Sequence, residues 1–535
     1  MTETPARQIA AGYATEGGAV TLGSVMVDGE ADPTAKVALP LSMVNRHGLI
    51  AGATGTGKTK TLQLFIEQLS ANGVPVVVAD IKGDLSGLGA PGEPNDAITD
   101  RATRTGVDWA PEGYPVEFVS LGTEGVGVPV RATITSFGPI LLAKVLGLNA
   151  TQESTLGLIF HWADQQGLEL YDLKDLRAVI QHLTSDEGKS DLKGIGGVSS
   201  ATAGVILRAL VNLEAAGGDT FFGDPELEPA DLMRRDGARG VITAVELGDQ
   251  AARPALFSTF LMWILAELFQ ELPEKGDVEK PELVFIFDEA HLLFADASKA
   301  FLEQVVQTVK LIRSKGVGVY FCSQQPTDIP KDVLSQLGAR IQHALRAFTP
   351  EDQKALSRTV KTYPTSEFYD LESALTSLGT GEAIVTVLSE RGAPTPVAWT
   401  LMTPPRSLMD TIGETSISQQ ARASELYTKY GATVDPVSAF EKLQAKAAAA
   451  EQAAVDAELA AQQAAQAQSE ARMDARVGGG RPRGGSGHGP DDESFVSKAM
   501  SNPAVRSFLR SAASAAGREI SRSIFGTRSR RRSPR

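Results

Sequence analysis

Two short stretches of the sequence have the residue types and spacing for phosphate chemistry. The first is Gly52-Ala53-Thr54-Gly55-Thr56-Gly57-Lys58-Thr59, which fits the pattern G-x-x-x-x-G-K-[ST]. Glycines at these places let successive backbone N–H groups turn toward one anion. A helix that starts here points its positive end at the same anion. Lys58 then offers a cation to the β and γ phosphates of a nucleotide, and Thr59 a hydroxyl to Mg2+. The binding set expected from this loop is Gly52, Ala53, Thr54, Gly55, Thr56, Gly57, Lys58, Thr59 and Lys60.

The second stretch is Asp288-Glu289, directly after the apolar run Leu283-Val284-Phe285-Ile286-Phe287. In open α/β sheets, ligands bind at the carboxyl ends of such strands. Asp288 is expected to hold Mg2+ together with Thr59, and Glu289 to orient and deprotonate an attacking water. The expected cofactors are therefore ATP and Mg2+. Asp288-Glu289-Ala290-His291 also spells the DEAH box of two-lobed helicases, but the Ser-Ala-Thr motif and the Arg-rich second-lobe motif of those enzymes are missing. His291 reads as a packing or hydrogen-bonding residue. The sequence lacks a G-x-S-x-G elbow, an LSGGQ signature and any His paired with Glu at helical spacing, which argues against serine hydrolase, transporter-type and zinc readings.

Strands and helices must hold these two stretches together. Gly48-Leu49-Ile50-Ala51 leads into the loop, and residues 58–69 carry Leu62, Phe65, Ile66 and Leu69 at helical spacing. Residues 74–79 form an unbroken apolar run that ends at Asp80, as a buried parallel strand would. Further strands are expected at 240–245, 283–287, 317–322, 339–344, 383–388 and 397–401, with a buried helix at 255–269. This alternation predicts an α/β fold with a RecA-like core and a mainly parallel sheet. The expected division is a short β-rich segment over 1–45 and the core over 46–405, with a helical insertion at about 90–235. An Ala-rich helical extension follows over 406–477, then a flexible linker over 478–490 and a basic tail over 491–535, so that the C-terminal extension is helical and partly disordered.

Composition narrows the class. The chain has 535 residues, a net charge of −14 and one cysteine, Cys322, so a disulfide framework is excluded and a cytoplasmic location is expected. Its most apolar stretch, 255–269, is shorter than the roughly 20 residues of a spanning helix. No membrane contact is expected. Residues 501–535 hold nine Arg and one Glu, eight positive charges in excess, which leaves −22 on the rest. Arg528, Arg530, Arg531, Arg532 and Arg535 are placed to neutralise phosphates, although an unpartnered charged end accounts for them equally well. Residues 437–475 offer a surface for a protein partner.

The residues around both stretches resemble HerA/FtsK-type P-loop ATPases. His47 to Thr59 carries the general likeness. Asp80-Ile81-Lys82-Gly83-Asp84-Leu85, Phe287-Asp288-Glu289-Ala290-His291 and Ser323-Gln324-Gln325-Pro326 are similar to the YjgR-like, helicase HerA-like bacterial branch. The likeness covers roughly residues 15–405 and part of the basic tail. It implies a homo-oligomeric ring, a hexamer, that moves or unwinds DNA at the expense of ATP. It also implies that Gln324 or Gln325 senses the γ-phosphate and that an arginine of a neighbouring subunit completes the site, with Arg340, Arg346 and Arg313 as candidates. Asp80, Lys82 and Asp84 border that site, where they either reach it or form a solvated turn. The region before residue 46 is shorter than the barrel that HerA carries there. The competing readings are a nucleotide-dependent switch or scaffold that moves no strand, and a pump-like coupling ATPase, without helicase activity, acting on protein or DNA at a membrane.

Overall fold

The computed structural model describes residues 4–477 apart from 124, 193–195, 248–253, 295, 296 and 298. Its strands, in chain order, are β1 (Ala19–Val27), β2 (Glu30–Pro40), β3 (Gly48–Ala51), β4 (Val76–Asp80), β5 (Val116–Leu121), β6 (Val128–Val130), β7 (Arg235–Asp236), β8 (Arg239–Gly240), β9 (Ile242–Glu246), β10 (Leu283–Phe287), β11 (Val317–Ser323), β12 (Ala339–Gln342), β13 (Glu382–Thr386) and β14 (Ala398–Met402). Twelve of them make one sheet in the order β2-β1-β14-β13-β12-β3-β11-β10-β4-β9-β5-β6, and β7 and β8 form a separate ribbon.

From β12 to β6 every pairing is parallel, and from β12 outward to β2 every pairing is antiparallel. The sheet is mainly parallel and the fold is the expected RecA-like α/β class. Every position of β3, β4, β9, β10 and β11 is buried, as strands covered on both faces require. Alternate residues serve opposite faces. Val76, Val78, Val284, Ile286 and Tyr320 pack with Leu62, Phe65, Ile66 and Leu69 of the helix Lys58–Ala71. Val77, Ala79, Phe285, Phe287 and Phe321 pack on the other face with Phe260, Trp263 and Ile264 of the helix Pro254–Glu271.

Several elements differ from expectation. The strand residues expected ahead of the core extend its sheet: β1 pairs with β14, and β2 is the outermost strand. The span expected as a helical insertion does hold the helices Ile134–Val145, Ala150–Gln165, Leu173–Thr184 and Ser200–Leu213. It also holds β5 and β6, which continue the parallel sheet beyond β9. β6 is three residues long, too short to register as a periodic pattern.

The chain divides into two units, residues 1–451 and 452–535. In the first, residues just past 405 pack on the core: Glu67 accepts from the backbone N–H groups of Arg406 (2.9 Å) and Ser407 (2.8 Å). The described part of the second unit is the later portion of the helix Ala439–Val477. The expected linker (478–490) and basic tail (491–535) lie outside the described residues. Among the described residues, no helix is long and apolar enough to cross a membrane.

Candidate active site

Strand order brings the two chemical stretches together. β3 delivers the glycine loop and β10 the acidic pair, and only β11 lies between them. Ser323 of β11 is opposite Ala51 of β3, and Phe321 is opposite Phe287 of β10. The loop, Gln324-Gln325 and Asp288-Glu289 therefore leave three neighbouring strands at the same carboxyl edge.

The loop is fixed at its base by Gly52 N–H to Ser323 O (3.2 Å) and Ala53 N–H to Ala344 O (2.9 Å). A Cβ at Gly52 would come within 2.5 Å of the His343 Cβ. Gly57 has φ of 108° and precedes the helix Lys58–Ala71, and a Cβ there would meet Gly381 N at 3.0 Å. No side chain caps this helix, which leaves its positive end to the loop. Lys58 is 8% exposed, and among the described residues no hydrogen bond or ion pair holds it. A largely buried lysine with the Glu289 charge nearby but no direct partner is suited to an anion that a ligand supplies. A nucleotide's phosphates fit this cradle. Among the described residues, no three His, Cys, Asp or Glu side chains are grouped to hold a metal ion.

Asp288 and Glu289 are both nearly buried. Ala290 N–H donates to Cys322 O at 2.7 Å, which ties the turn to β11, and Glu289 takes a left-handed φ of 45°. Glu289 N–H donates to Asp288 Oδ1 at 2.9 Å. Lys82 Nζ donates to Glu289 Oε1. His291 Nδ1 lies 3.2 Å from Glu289 Oε2, without the alignment of a hydrogen bond. Burial pushes the Glu289 carboxyl up, but Lys82, Lys58 and His291 together bring it below its ordinary value. Burial and the neighbouring Glu289 charge raise Asp288.

Asp80 and Glu246 end β4 and β9 opposite each other. Burial takes Glu246 to about 8, helped by the Asp80 charge. Asp80 rises to about 6 through burial and the Asp288 charge, although it accepts N–H bonds from Lys82, Gly83 and Leu85. Glu246 was not expected at the site. Its one signal is an acid closing the run Ile242-Thr243-Ala244-Val245. His343 was also missed. It is fully buried beneath the loop, Nδ1 lies 2.8 Å from Glu382 O, and burial with Lys58 nearby lowers it to about 4.

The other candidates separate. Gln324 is exposed at the end of β11, while the Gln325 N–H donates to Asp328 at 2.8 Å. β12 stops at Gln342, so Arg346 lies past the strand, and its guanidinium is 3.4 Å from Thr54 O of its own loop. Arg340 turns toward the carbonyls of Leu334 (3.4 Å) and Thr362 (3.5 Å). Arg313 precedes β11 and so stands at the opposite end of the sheet. The Lys60 ammonium is engaged by Met409 O at 2.6 Å, so that side chain is committed away from the phosphates.

The Helicase HerA-like C-terminal family matches residues 26–533. The chain belongs to the HerA-like family. This HerA-like chain carries the P-loop pattern of nucleotide-binding proteins. It is 30% identical over 149 residues to the protein named DNA double-strand break repair helicase HerA of Sulfolobus acidocaldarius, covering 27% of this chain and 29% of that one. It is 36% identical over 134 residues to a protein of Methanocaldococcus jannaschii named "Probable helicase", covering 24% of each. The chain thus spans about a quarter of the length of these curated relatives. Among solved structures, the bacterial conjugative coupling protein TrwB is similar with 14% identity and a TM-score of 0.49, over 77% of the HerA-like chain and 95% of that one.

Proposed function

We propose that this cytoplasmic protein hydrolyses Mg-ATP and uses it to translocate along or unwind DNA as a ring of identical subunits, a hexamer. The observation that carries the ATPase step is the buried, unpaired Lys58 set one strand from Asp288 and Glu289. The DNA and ring parts draw their support from membership of the HerA-like family.

In this reading the backbone from Gly52 to Thr59 and the Lys58 ammonium bind the phosphates. Thr59 and Asp288 would hold Mg2+, which would supply charge neutralisation at the phosphates. Glu289 takes a proton from the attacking water onto its carboxylate. Gln324, the exposed member of its pair, faces the γ-phosphate. Arg346 serves its own loop, which leaves Arg340 and Arg313 as the arginines to be lent to a neighbour. The test is the steady-state ATPase rate with and without single- and double-stranded DNA at two salt concentrations. Stimulation that salt removes supports the motor, since phosphate contacts weaken steeply with salt. A Glu289-dependent rate indifferent to DNA would move the switch reading ahead.

A further inference from the structure

We propose that Lys82 is a restraint on Glu289, one that must let go before water can be deprotonated. The inference rests on reading Glu289 as the base. Its ground is that both carboxylate oxygens already face basic groups: Oε1 takes a hydrogen bond from Lys82 Nζ, and Oε2 lies 3.2 Å from His291 Nδ1. A carboxylate oxygen spent on an ammonium is a poor acceptor for a water proton.

The two ends of the pair are unequal. The Glu289 side chain is 6% exposed, and the turn that holds it after β10 is tied to β11 by Ala290 N–H to Cys322 O. The Lys82 side chain is 50% exposed. Its own backbone is also pinned: Asp80 accepts from the N–H groups of Lys82 (3.2 Å), Gly83 (2.8 Å) and Leu85 (2.9 Å). The part free to move is therefore the four-carbon stem and its ammonium, which solvent-borne anions can reach. A phosphate ester is the natural competitor, because it offers more negative charge than one carboxylate. That phosphate belongs either to the bound nucleotide or to a nucleic-acid backbone. Release of Lys82 leaves Glu289 Oε1 open to a water and places a cation near the new phosphate.

The test uses the full chain and compares steady-state ATPase rates of the wild type, Lys82→Met, Lys82→Arg and Glu289→Gln, each with and without DNA. Lys82→Met keeps the stem and drops the charge, and its rate without DNA is expected to rise by about fivefold, the scale of a partly exposed pair. Lys82→Arg keeps the charge and is expected to stay near the wild type. If nucleic acid is the releasing phosphate, DNA no longer stimulates Lys82→Met; if the nucleotide is, the ratio with and without DNA is unchanged. A Lys82→Met rate equal to or below wild type, with nucleotide affinity retained, overturns the restraint. So does an Arg variant as fast as the Met variant. Should Lys82→Met lose its melting transition, Lys82 is a structural residue and the restraint is likewise overturned; weaker nucleotide binding with the fold intact and a raised maximal rate assigns the releasing phosphate to the nucleotide. A Glu289→Gln enzyme with full turnover would instead overturn the reading of Glu289 itself.

Discussion

Glu289 and Glu246 stand at the same carboxyl edge of the sheet, on strands separated only by β4, and they are equally buried at 5% and 7% exposure. Glu289 is held below its ordinary carboxyl value, whereas Glu246 is raised to about 8. Burial pushes both upward, so what sets Glu289 apart is its neighbours. Glu289 has Lys82 in contact and Lys58 and His291 close by. Glu246 faces Asp80, and its Oε1 has no hydrogen-bond partner among the described residues. Burial raises both carboxyls, and the neighbouring cations at Glu289 are what reverse it there.

The sharpest way to break this comparison is to remove the charges one at a time. Lys58→Ala should abolish tight nucleotide binding, measured by equilibrium titration, and turnover with it. Glu289→Gln should keep nucleotide binding and lose on the order of 10²-fold or more in turnover. Glu246→Gln, an equally buried change two strands away from Asp288, should leave turnover close to wild type. A matching collapse in the Glu246→Gln enzyme would mean that Glu246 belongs to the chemistry.

Smaller effects test the electrostatics alone. A carboxyl raised on folding favours the protonated folded state, so the stability tied to Glu246 is present below about 4.5 and is lost as pH rises through about 8. Glu246→Gln should flatten that fall, by a few kcal/mol at most, in melting curves taken at pH 6 and pH 8. His47 and His343 carry the opposite sign. Burial lowers each from 6.5 to about 4, so their share of stability is present above 6.5 and is lost as pH falls through 4. An acid transition unchanged by His343→Gln would show that His343 is not what titrates.

The sequence made the loop and the acidic pair legible because their chemistry demands particular residue types in a short span. Lys82 is legible only as bordering the site, since its contact with Glu289 spans 207 residues. Glu246 and His343 escaped notice for a related reason. What places them is the order of β9, β4, β12 and β3 in the sheet, and that order is not written in any local pattern. Arg346 lies beyond both the expected strand end at 344 and the observed end at Gln342, and only the fold shows that its loop passes beside Thr54.

The two outer strands carry a further consequence. An open sheet this wide offers two free edges, and a flat edge invites a second chain to add a strand. β2 carries Asp32, Pro33 and Lys36 along its exposed portion, and β6 is three residues with Pro129 in the middle. Remove the first 40 residues and β14, mostly buried, becomes the edge. Such a truncated chain should aggregate. Among the described residues neither sheet edge is suited to strand addition, so the subunits of the proposed ring would meet through helices and loops, not by continuing one another's sheet.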